Sequence, residues 1–223
     1  MARIIEILRR LLPEEIPSSV AASYATGAAK RYMPQYELMA REIAAVAQGV
    51  LLDIGTGPGI VPLQIGKILP SLQIVGIDVS PAMIAIAQKK LAEVGLSQVS
   101  FRVMNGRALA FADNSLDMVI STDALHHWKY PIMVFDEMYR CLKQGGEAWV
   151  YDGFAGASDN DIATCIHGAG GLFLPHWFLR LNLWIHGFSK KEYDTTVRSM
   201  VSQTRFKTCV FQQRGDFVPE FLA

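Results

Sequence analysis

The nine residues LLDIGTGPG form a segment whose residue types and spacing could hold a charged ligand. An apolar run is followed by Asp53 and then by glycines at alternate positions, Gly55, Gly57 and Gly59. The apolar run predicts a buried parallel strand, and the glycines allow the backbone to turn sharply and approach a ligand closely. A helix is predicted to follow, so the turn opens onto a helix N-terminus, which is typical of a cofactor site in an α/β sheet.

The same segment distinguishes between classes of cofactor. In the nicotinamide dinucleotide fingerprint, G-x-G-x-x-G, the third glycine would stand at position 60, where this chain has Ile60. No Gly-Lys-Ser/Thr follows the turn, so a phosphate-binding loop is not predicted. The carboxylate of Asp53 would repel a pyrophosphate and attract an ammonium group. An acid beside a glycine turn therefore favours a nucleoside ligand that carries positive charge, and S-adenosylmethionine is such a ligand.

Four further residues fall where a nucleoside would be held. Asp78 ends the second predicted strand, and its carboxylate could accept hydrogen bonds from both ribose hydroxyls. Asn105 follows the third predicted strand, and its amide could pair with the edge of adenine, although Asn-Gly is equally typical of a turn. Val79 and Met83 could sandwich the adenine ring, and core packing explains either side chain equally well.

Regularly alternating strands and helices must position these residues. Five such strands predict a mostly parallel sheet with helices on both of its faces. The predicted strands are 50–54, 73–79, 100–104, 118–122 and 148–151, and the helices between them are 60–69, 81–94 and 131–142. A helix at 190–201 and two strands at 206–212 and 217–222, which form an antiparallel hairpin, complete the predicted sheet.

Length and composition indicate one domain. The chain has 223 residues, 51% of them hydrophobic, which is enough for one well-buried core. The predicted parts are a helical N-terminal cap (1–49), a cofactor-binding core (50–153), a lid-like insert (154–188), and a C-terminal helix with a strand hairpin (189–223). The insert has six aromatic residues among 35 and interrupts the alternation. It is expected either to cover the acceptor of a reaction or to form a dimer interface.

Charge and cysteine content exclude several partners. The 21 basic and 21 acidic residues leave no electrostatic surface for a nucleic acid. The three cysteines are widely spaced and lack a C-x-x-C pattern, which indicates reduced thiols. No metal site is predicted, because the His126–His127 pair would need a third ligand.

The N-terminal stretch has charges within its apolar run and does not read as a signal peptide, and no segment is long and apolar enough to span a membrane. We expect a cytoplasmic protein. A first helix is predicted from Ile4 to Leu11; it packs on the domain's own core or makes a peripheral contact with a membrane surface or a partner.

Five motifs in order resemble the class I S-adenosylmethionine-dependent methyltransferases. They are LLDIGTGPG, GIDVSPAMIAIAQ, NGRALAFADNSLDMVIS, ALHHW and RCLKQGGEAWV. The chain is similar to the small-molecule group of this family that includes the ubiquinone/menaquinone-type enzymes. The resemblance covers residues 24–151, with a looser match over residues 189–223.

The resemblance implies a Rossmann-like sheet of seven strands, mostly parallel, whose last strand is antiparallel. It also implies roles for individual residues at the cofactor. Asp53 and Gly55 would face the methionine moiety, Asp78 the ribose and Asn105 the adenine, Gly106 would bring a backbone N–H to the ring, and Ser121 would lie under the cofactor. The usual acid of the third motif is Asn105 here, which weakens the implied adenine contact.

Methyl transfer from a sulfonium is an in-line displacement whose leaving group needs no proton. Positioning alone can lower such a barrier by roughly 7–11 kcal/mol, so a dedicated catalytic residue is not required. A base helps when the acceptor is a hydroxyl, a phenol or a carbon acid. The candidates near the strand ends are His126, His127, Asp123 and Asp152. Of these, His127 and Asp123 are the predicted catalytic residues, since one ring of the histidine pair, that of His126, is expected to cap the loop.

The acceptor is predicted to be a small apolar or aromatic molecule, because the insert is apolar and aromatic. Two other functional classes stay open. A non-catalytic S-adenosylmethionine-binding protein would bind the cofactor and turn over no acceptor. A nicotinamide-dependent oxidoreductase would bind NAD(P), and Ile60 argues against it. The oligomeric state, monomer or homodimer, is also open.

Overall fold

The structure is a computed structural model that describes residues 14–15, 18–153, 188–214 and 218–222. Two helices precede the sheet, α1 (Ser18–Arg31) and α2 (Met33–Val46). None of the helices within these ranges is long and apolar enough to cross a membrane. The predicted first helix at Ile4–Leu11 lies outside the described residues, as does the insert from 154 to 187.

Strands and helices then alternate as predicted. The elements are β1 (Val50–Ile54), α3 (Ile60–Ile68), β2 (Gln73–Asp78), α4 (Pro81–Val94), β3 (Val99–Val103), β4 (Leu116–Thr122), α5 (Pro131–Cys141) and β5 (Leu142–Tyr151). A helical segment, α6, follows in three consecutive pieces, Lys190–Glu192, Tyr193–Val197 in π-helical geometry and Arg198–Ser202. The last elements are β6 (Val210–Arg214) and β7 (Val218–Leu222).

The strands β1 to β5 pair in parallel in the order β3-β2-β1-β4-β5. This confirms the predicted Rossmann-like α/β fold with a parallel sheet. The strand order reverses between β1 and β4, and in open α/β sheets ligands bind in the crevice at such a reversal. Beyond β5, β7 pairs with β5 and β6 pairs with β7, both in antiparallel register.

Alternate residues of each strand point to opposite faces of the sheet. On β1, Leu51 packs with α2, α3 and α4, while Leu52 packs with α5 and α6. Both side chains are fully buried. Burial on both faces explains why the parallel strands read as continuous apolar runs in the sequence.

Two elements begin more than two residues away from their predicted starts. β5 begins at Leu142, which pairs with Leu116, and the ladder is irregular until Glu147 pairs with Met118. The predicted strand began six residues later, because Gly145 and its polar neighbours have the composition of a turn. β6 begins at Val210 rather than Phe206, and Lys207 before it has a positive φ of 67° that no strand accommodates.

Candidate functional site

A pocket opens at the carboxyl ends of β1, β2 and β4, where the strand order reverses. It is formed by the glycine turn after β1, the residues that follow β2, β3 and β4, side chains from α2, α3 and α5, and Glu14. The predicted site residues that line it are Gly55, Gly57, Asp78, Val79, Asn105, Gly106, Asp123 and His127. The fold thus brings together residues that are up to 72 positions apart, as the range from Gly55 to His127 shows.

Four of the predicted cofactor residues support the pocket from behind instead of lining it, namely Asp53, Gly59, Met83 and Ser121. Gly59 precedes α3 with a φ of 74°, and a Cβ there would lie 2.6 Å from the Phe101 ring. Met83 is fully buried on α4. The Ser121 hydroxyl donates a hydrogen bond to the Ile54 carbonyl at 2.7 Å, which joins β4 to β1 beneath the turn.

Asp53 lies fully buried beneath the glycine turn. Among the described residues, none donates a hydrogen bond of ordinary geometry to either of its carboxylate oxygens. Burial, with a smaller contribution from the charge of Asp78, raises its pKa to about 7, and the nearby Thr56 hydroxyl opposes this shift in part. Such a carboxylate is stabilised in its charged form by a cation, so its field favours a positively charged ligand above the turn.

The carboxylate of Asp78 ties the end of β2 to the turn after β1. Its Oδ2 accepts a hydrogen bond from the Gly57 N–H at 2.9 Å, and its Oδ1 accepts one from the Ser80 N–H at 2.8 Å. Burial raises the pKa of Asp78, and these two hydrogen bonds partly offset the shift. Each carboxylate oxygen keeps a lone pair that could accept a ribose hydroxyl. Ser80 precedes α4, and its side chain makes no capping hydrogen bond.

Asn105 is oriented by Arg107. The amide oxygen of Asn105 accepts hydrogen bonds from the Arg107 backbone N–H at 3.0 Å and from its Nε at 3.1 Å. Because both partners are donors, they fix which end of the amide is oxygen. The amide NH2 is therefore the group of Asn105 with which a ligand would interact, and it is a donor.

Arg107 and Glu14 are site residues that sequence reasoning missed. The Arg107 guanidinium pairs with Glu14 at 3.4 Å and lies 4.9 Å from the centre of the Tyr130 ring. The other oxygen of Glu14 accepts a hydrogen bond from the Lys129 N–H at 2.8 Å. Glu14 thus bridges the segments after β3 and after β4. The position of Arg107 next to the Asn-Gly turn was a signal for it, whereas no sequence pattern indicated Glu14.

The other end of the pocket carries Asp123, which follows β4. Its Oδ2 accepts a hydrogen bond from the Tyr36 hydroxyl at 3.1 Å, and its backbone has a positive φ of 51°. The side chain lies deep in the protein and is reached by solvent through the pocket. Burial and then the charge of Asp152 raise the pKa of Asp123 to about 6, with His126 and Tyr36 acting in the opposite direction. Sequence reasoning did not identify Tyr36 as a site residue.

His126 and Asp152 form a separate, buried pair. The Asp152 carboxylate contacts His126 Nδ1 at 2.5 Å, accepts the His126 N–H at 2.9 Å and accepts the Gly153 N–H at 2.7 Å. With these contacts the two residues fix the loop after β4 to the end of β5, as expected for His126 as a loop cap. The neighbouring His127 ring lies 4.1 Å from that of His126 and lines the pocket.

The pocket therefore suits a ligand that is part nucleoside and part cation. A Cβ on Gly57 would meet no atom within 4 Å, so the turn presents bare backbone to open space. Asp78 offers acceptors for a ribose, the Asn105 amide offers a donor for a base, and Asp53 provides the negative field for a positive group.

Comparison with known proteins agrees with this geometry. Residues 52–150 match the family model described as a methyltransferase domain. The chain is 28% identical over 167 residues to phosphoethanolamine N-methyltransferase 2 of Caenorhabditis elegans, covering 74% of this chain and 37% of that protein. It is 30% identical over 114 residues to a demethylmenaquinone methyltransferase of Porphyromonas gingivalis, covering 50% of this chain and 46% of that protein.

The chain spans less than half the length of these two curated relatives. Its fold is similar to the crystal structure of a putative S-adenosyl-L-methionine-dependent methyltransferase from Methanococcus maripaludis. That structure has a TM-score of 0.69 and 20% identity, and the match covers 92% of this chain and 89% of that one. Together with the motifs in the pocket, these matches support a class I S-adenosylmethionine-dependent methyltransferase domain over residues 52–150.

Proposed function

We propose that this chain transfers the methyl group of S-adenosylmethionine to a small acceptor with an apolar or aromatic body. The hydrogen bond between Asp78 and the Gly57 N–H is the observation that carries the proposal. It keeps a ribose-binding carboxylate beside a glycine turn that is open to the pocket. S-adenosylmethionine is the cofactor of the family, and it has the positive charge and the nucleoside that this pocket suits.

In this proposal the residues divide into those that contact the cofactor and those that support the contacts. Asp78 accepts the ribose hydroxyls, and the Asn105 amide donates to a ring nitrogen of adenine. Gly55, Gly57, Gly106 and Val79 form the walls, while Asp53, Gly59, Met83 and Ser121 act from beneath. The bound cofactor supplies a methyl carbon on a positively charged sulfur, which is electrophilic without a metal or an acid.

Asp123 and His127 are the proposed catalytic residues, because both line the end of the pocket beyond the nucleoside-binding groups. Asp123 would bind or deprotonate the nucleophile, and His127 would orient it. The remaining acceleration would come from holding the nucleophile and the methyl carbon in line.

The insert is proposed to be the acceptor lid. The described residues that flank its undescribed part are in contact, since the Phe188 N–H donates a hydrogen bond to the Gly153 carbonyl at 3.0 Å. Phe188 itself is buried against Tyr193, with ring centres 5.3 Å apart, so it acts as a core residue and the proposed lid is residues 154–187. The aromatic composition of that segment supports an apolar acceptor.

We also propose that the whole sheet has the seven-stranded arrangement with an antiparallel last strand, which the pairing of β5, β7 and β6 supports. The four-part division of the chain, a cytoplasmic location and the choice between monomer and homodimer stay predictions.

Calorimetric titration with S-adenosylhomocysteine and with NAD+ tests the cofactor assignment. We expect S-adenosylhomocysteine to bind at one site per chain and NAD+ not to bind. Binding of NAD+ alone would favour the oxidoreductase alternative. A protein that binds S-adenosylhomocysteine and releases none from S-adenosylmethionine with a broad set of small acceptors would favour the non-catalytic alternative.

A further inference from the structure

At the acceptor end of the pocket, a carboxylate and a phenol from distant parts of the chain are in contact. The Tyr36 hydroxyl on α2 donates a hydrogen bond to Asp123 Oδ2 at 3.1 Å, across 87 positions of sequence. Both residues line the pocket. Among the described residues, Tyr36 is the one for which a hydrogen bond to the Asp123 carboxylate is found, and a carboxylate has further lone pairs that can accept hydrogen bonds.

The charges around Asp123 do not balance. Among the described side chains that line the pocket, Arg107 is the single permanent cation, and it is paired with Glu14. His126 attracts Asp123, but its ring is held by Asp152, whose own charge repels Asp123. The acceptor end of the pocket therefore has an excess of negative charge once Asp123 is ionised.

An ionised Asp123 with a positive φ is unfavourable in free energy. Burial and the charge of Asp152 both disfavour the charged form of Asp123, and its pKa of about 6 leaves it mostly ionised at neutral pH. A positive φ at a residue other than glycine is also uncommon and is characteristic of functional sites. A cationic ligand would relieve the electrostatic part of this cost.

We propose that Asp123 and Tyr36 form the subsite for a basic amine nitrogen, so that the methyl acceptor is a small amine. This inference rests on the proposed function and names the chemical class of its acceptor. The amine arrives as an ammonium group and donates a hydrogen bond to the remaining lone pairs of Asp123. The Tyr36 hydroxyl holds the carboxylate in place from the side of α2.

The proton balance of the reaction favours an amine over an oxygen nucleophile. An ammonium N–H transfers its proton to the Asp123 carboxylate, which leaves a neutral amine and a neutral acid. The nitrogen lone pair then forms the N–C bond as the C–S bond breaks, and the sulfur keeps the electron pair. The methylated ammonium product departs, and Asp123 returns its proton to solvent.

A phenol or alcohol would instead leave an anion in the same place. The first step with an amine removes two opposite charges from a buried site, whereas the first step with a hydroxyl only moves a negative charge onto the acceptor oxygen. Before that step, the ionised carboxylate attracts an ammonium group through a charge-assisted hydrogen bond. A neutral hydroxyl can also donate a hydrogen bond to this carboxylate, but without the attraction between two opposite charges.

Sinefungin provides a probe for this subsite, because a CH–NH3+ group replaces the methylated sulfonium of S-adenosylmethionine and presents an ammonium group toward the acceptor. We expect sinefungin to bind the wild-type chain about tenfold more tightly than S-adenosylhomocysteine, as one charge-assisted hydrogen bond allows. Asp123→Asn should remove most of this preference and change the affinity for S-adenosylhomocysteine less than about threefold, which also shows that the variant is folded.

Two further variants sharpen the test. Tyr36→Phe keeps the ring, removes the hydroxyl and should reduce the preference for sinefungin in part. Asp194→Asn removes an exposed carboxylate from α6 and should leave the preference unchanged. Equal affinities for the two ligands in the wild type, or a preference that Asp123→Asn retains, would overturn the amine subsite while leaving the proposed function intact. Failure of both ligands to bind would instead contradict the proposed function and this inference with it.

Discussion

The Gly57 N–H donates a hydrogen bond of 2.9 Å to the carboxylate of Asp78, which joins the turn after β1 to the end of β2. Gly57 has a positive φ of 51°, and the hydrogen bond stabilises this conformation. The same carboxylate lines the pocket. A single side chain therefore shapes the turn and offers acceptors to the ligand. Removal of the Asp78 carboxylate is expected to disturb the turn and to weaken ribose binding at the same time.

Asp78→Ala should weaken binding of S-adenosylhomocysteine at least tenfold. The substitution removes the acceptor that we propose for two ribose hydroxyls, and a hydrogen bond to a charged group contributes about 1.5–3 kcal/mol. It also releases the Gly57 and Ser80 N–H groups. Calorimetry measures the affinity, with Asp194→Ala as the control for loss of an exposed carboxylate. An unchanged affinity in Asp78→Ala would contradict the ribose assignment.

Gly57→Val should abolish cofactor binding with little loss of fold. A Cβ at this position meets no protein atom within 4 Å, so the side chain would project into the open pocket. Gly95, the residue after α4, offers a matched control because it also has a positive φ, 70°, and a Cβ added there would likewise meet open space. A valine at either position carries comparable backbone strain.

Circular dichroism and thermal unfolding of the Gly57→Val and Gly95→Val variants should therefore give similar losses of stability. Only Gly57→Val should lose binding of S-adenosylhomocysteine. Normal binding by a folded Gly57→Val protein would mean that the glycine serves the turn alone.

The glycine turn, Asp78 and Asn105 could be predicted from the sequence because each belongs to a local pattern, a strand end followed by a glycine, an acid or an amide. The contact between Tyr36 and Asp123 could not, since it depends on how α2 packs against the end of β4. The helical spacing of Tyr36 with Met39 and Ile43 is typical of a buried face, which the structure shows, but burial does not specify a partner.

The hydrogen bonds of Ser80 and Ser121 could not be predicted from local patterns. Ser80 has the sequence context of a helix cap, yet its backbone N–H is bound by Asp78, because that carboxylate lies between the helix and the glycine turn. Ser121 is implied by the resemblance to lie under the cofactor, and its hydroxyl donates a hydrogen bond to the Ile54 carbonyl on β1. The partner of Ser121 lies on a neighbouring strand, which the linear sequence does not reveal.

Asp53→Asn should raise the stability of the ligand-free protein above pH 7. The folded-state pKa of Asp53, about 7, lies above its ordinary value of 3.8, so the folded protein retains a proton that the unfolded chain loses between these values. The ionised carboxylate therefore destabilises the fold increasingly as the pH rises from about 4 to 7, by on the order of 2–4 kcal/mol when fully charged.

Thermal unfolding of wild type and Asp53→Asn at pH 5 and pH 8 measures this difference. The variant should have the higher melting temperature at pH 8, and its advantage should shrink at pH 5, where Asp53 is mostly protonated. The same variant should bind S-adenosylmethionine more weakly, because the negative field beneath the turn is gone. A melting-temperature difference that does not depend on pH would contradict the raised pKa.

Replacement of Trp177 and Phe178 by alanine separates a lid from a dimer interface. If residues 154–187 cover the acceptor, the double variant should keep its cofactor affinity and its sedimentation behaviour while losing methyl transfer, since the cofactor contacts lie on the sheet. If they form a dimer interface, sedimentation should shift toward the monomer, because apolar aromatic side chains dominate such contacts. Tyr139→Ala, which truncates an exposed aromatic side chain of α5, is the control for loss of aromatic surface. A shift to monomer in the double variant but not in the control would contradict the proposal that residues 154–187 form a lid. The hydrogen bond between Phe188 and Gly153 would then serve only to anchor the interface segment.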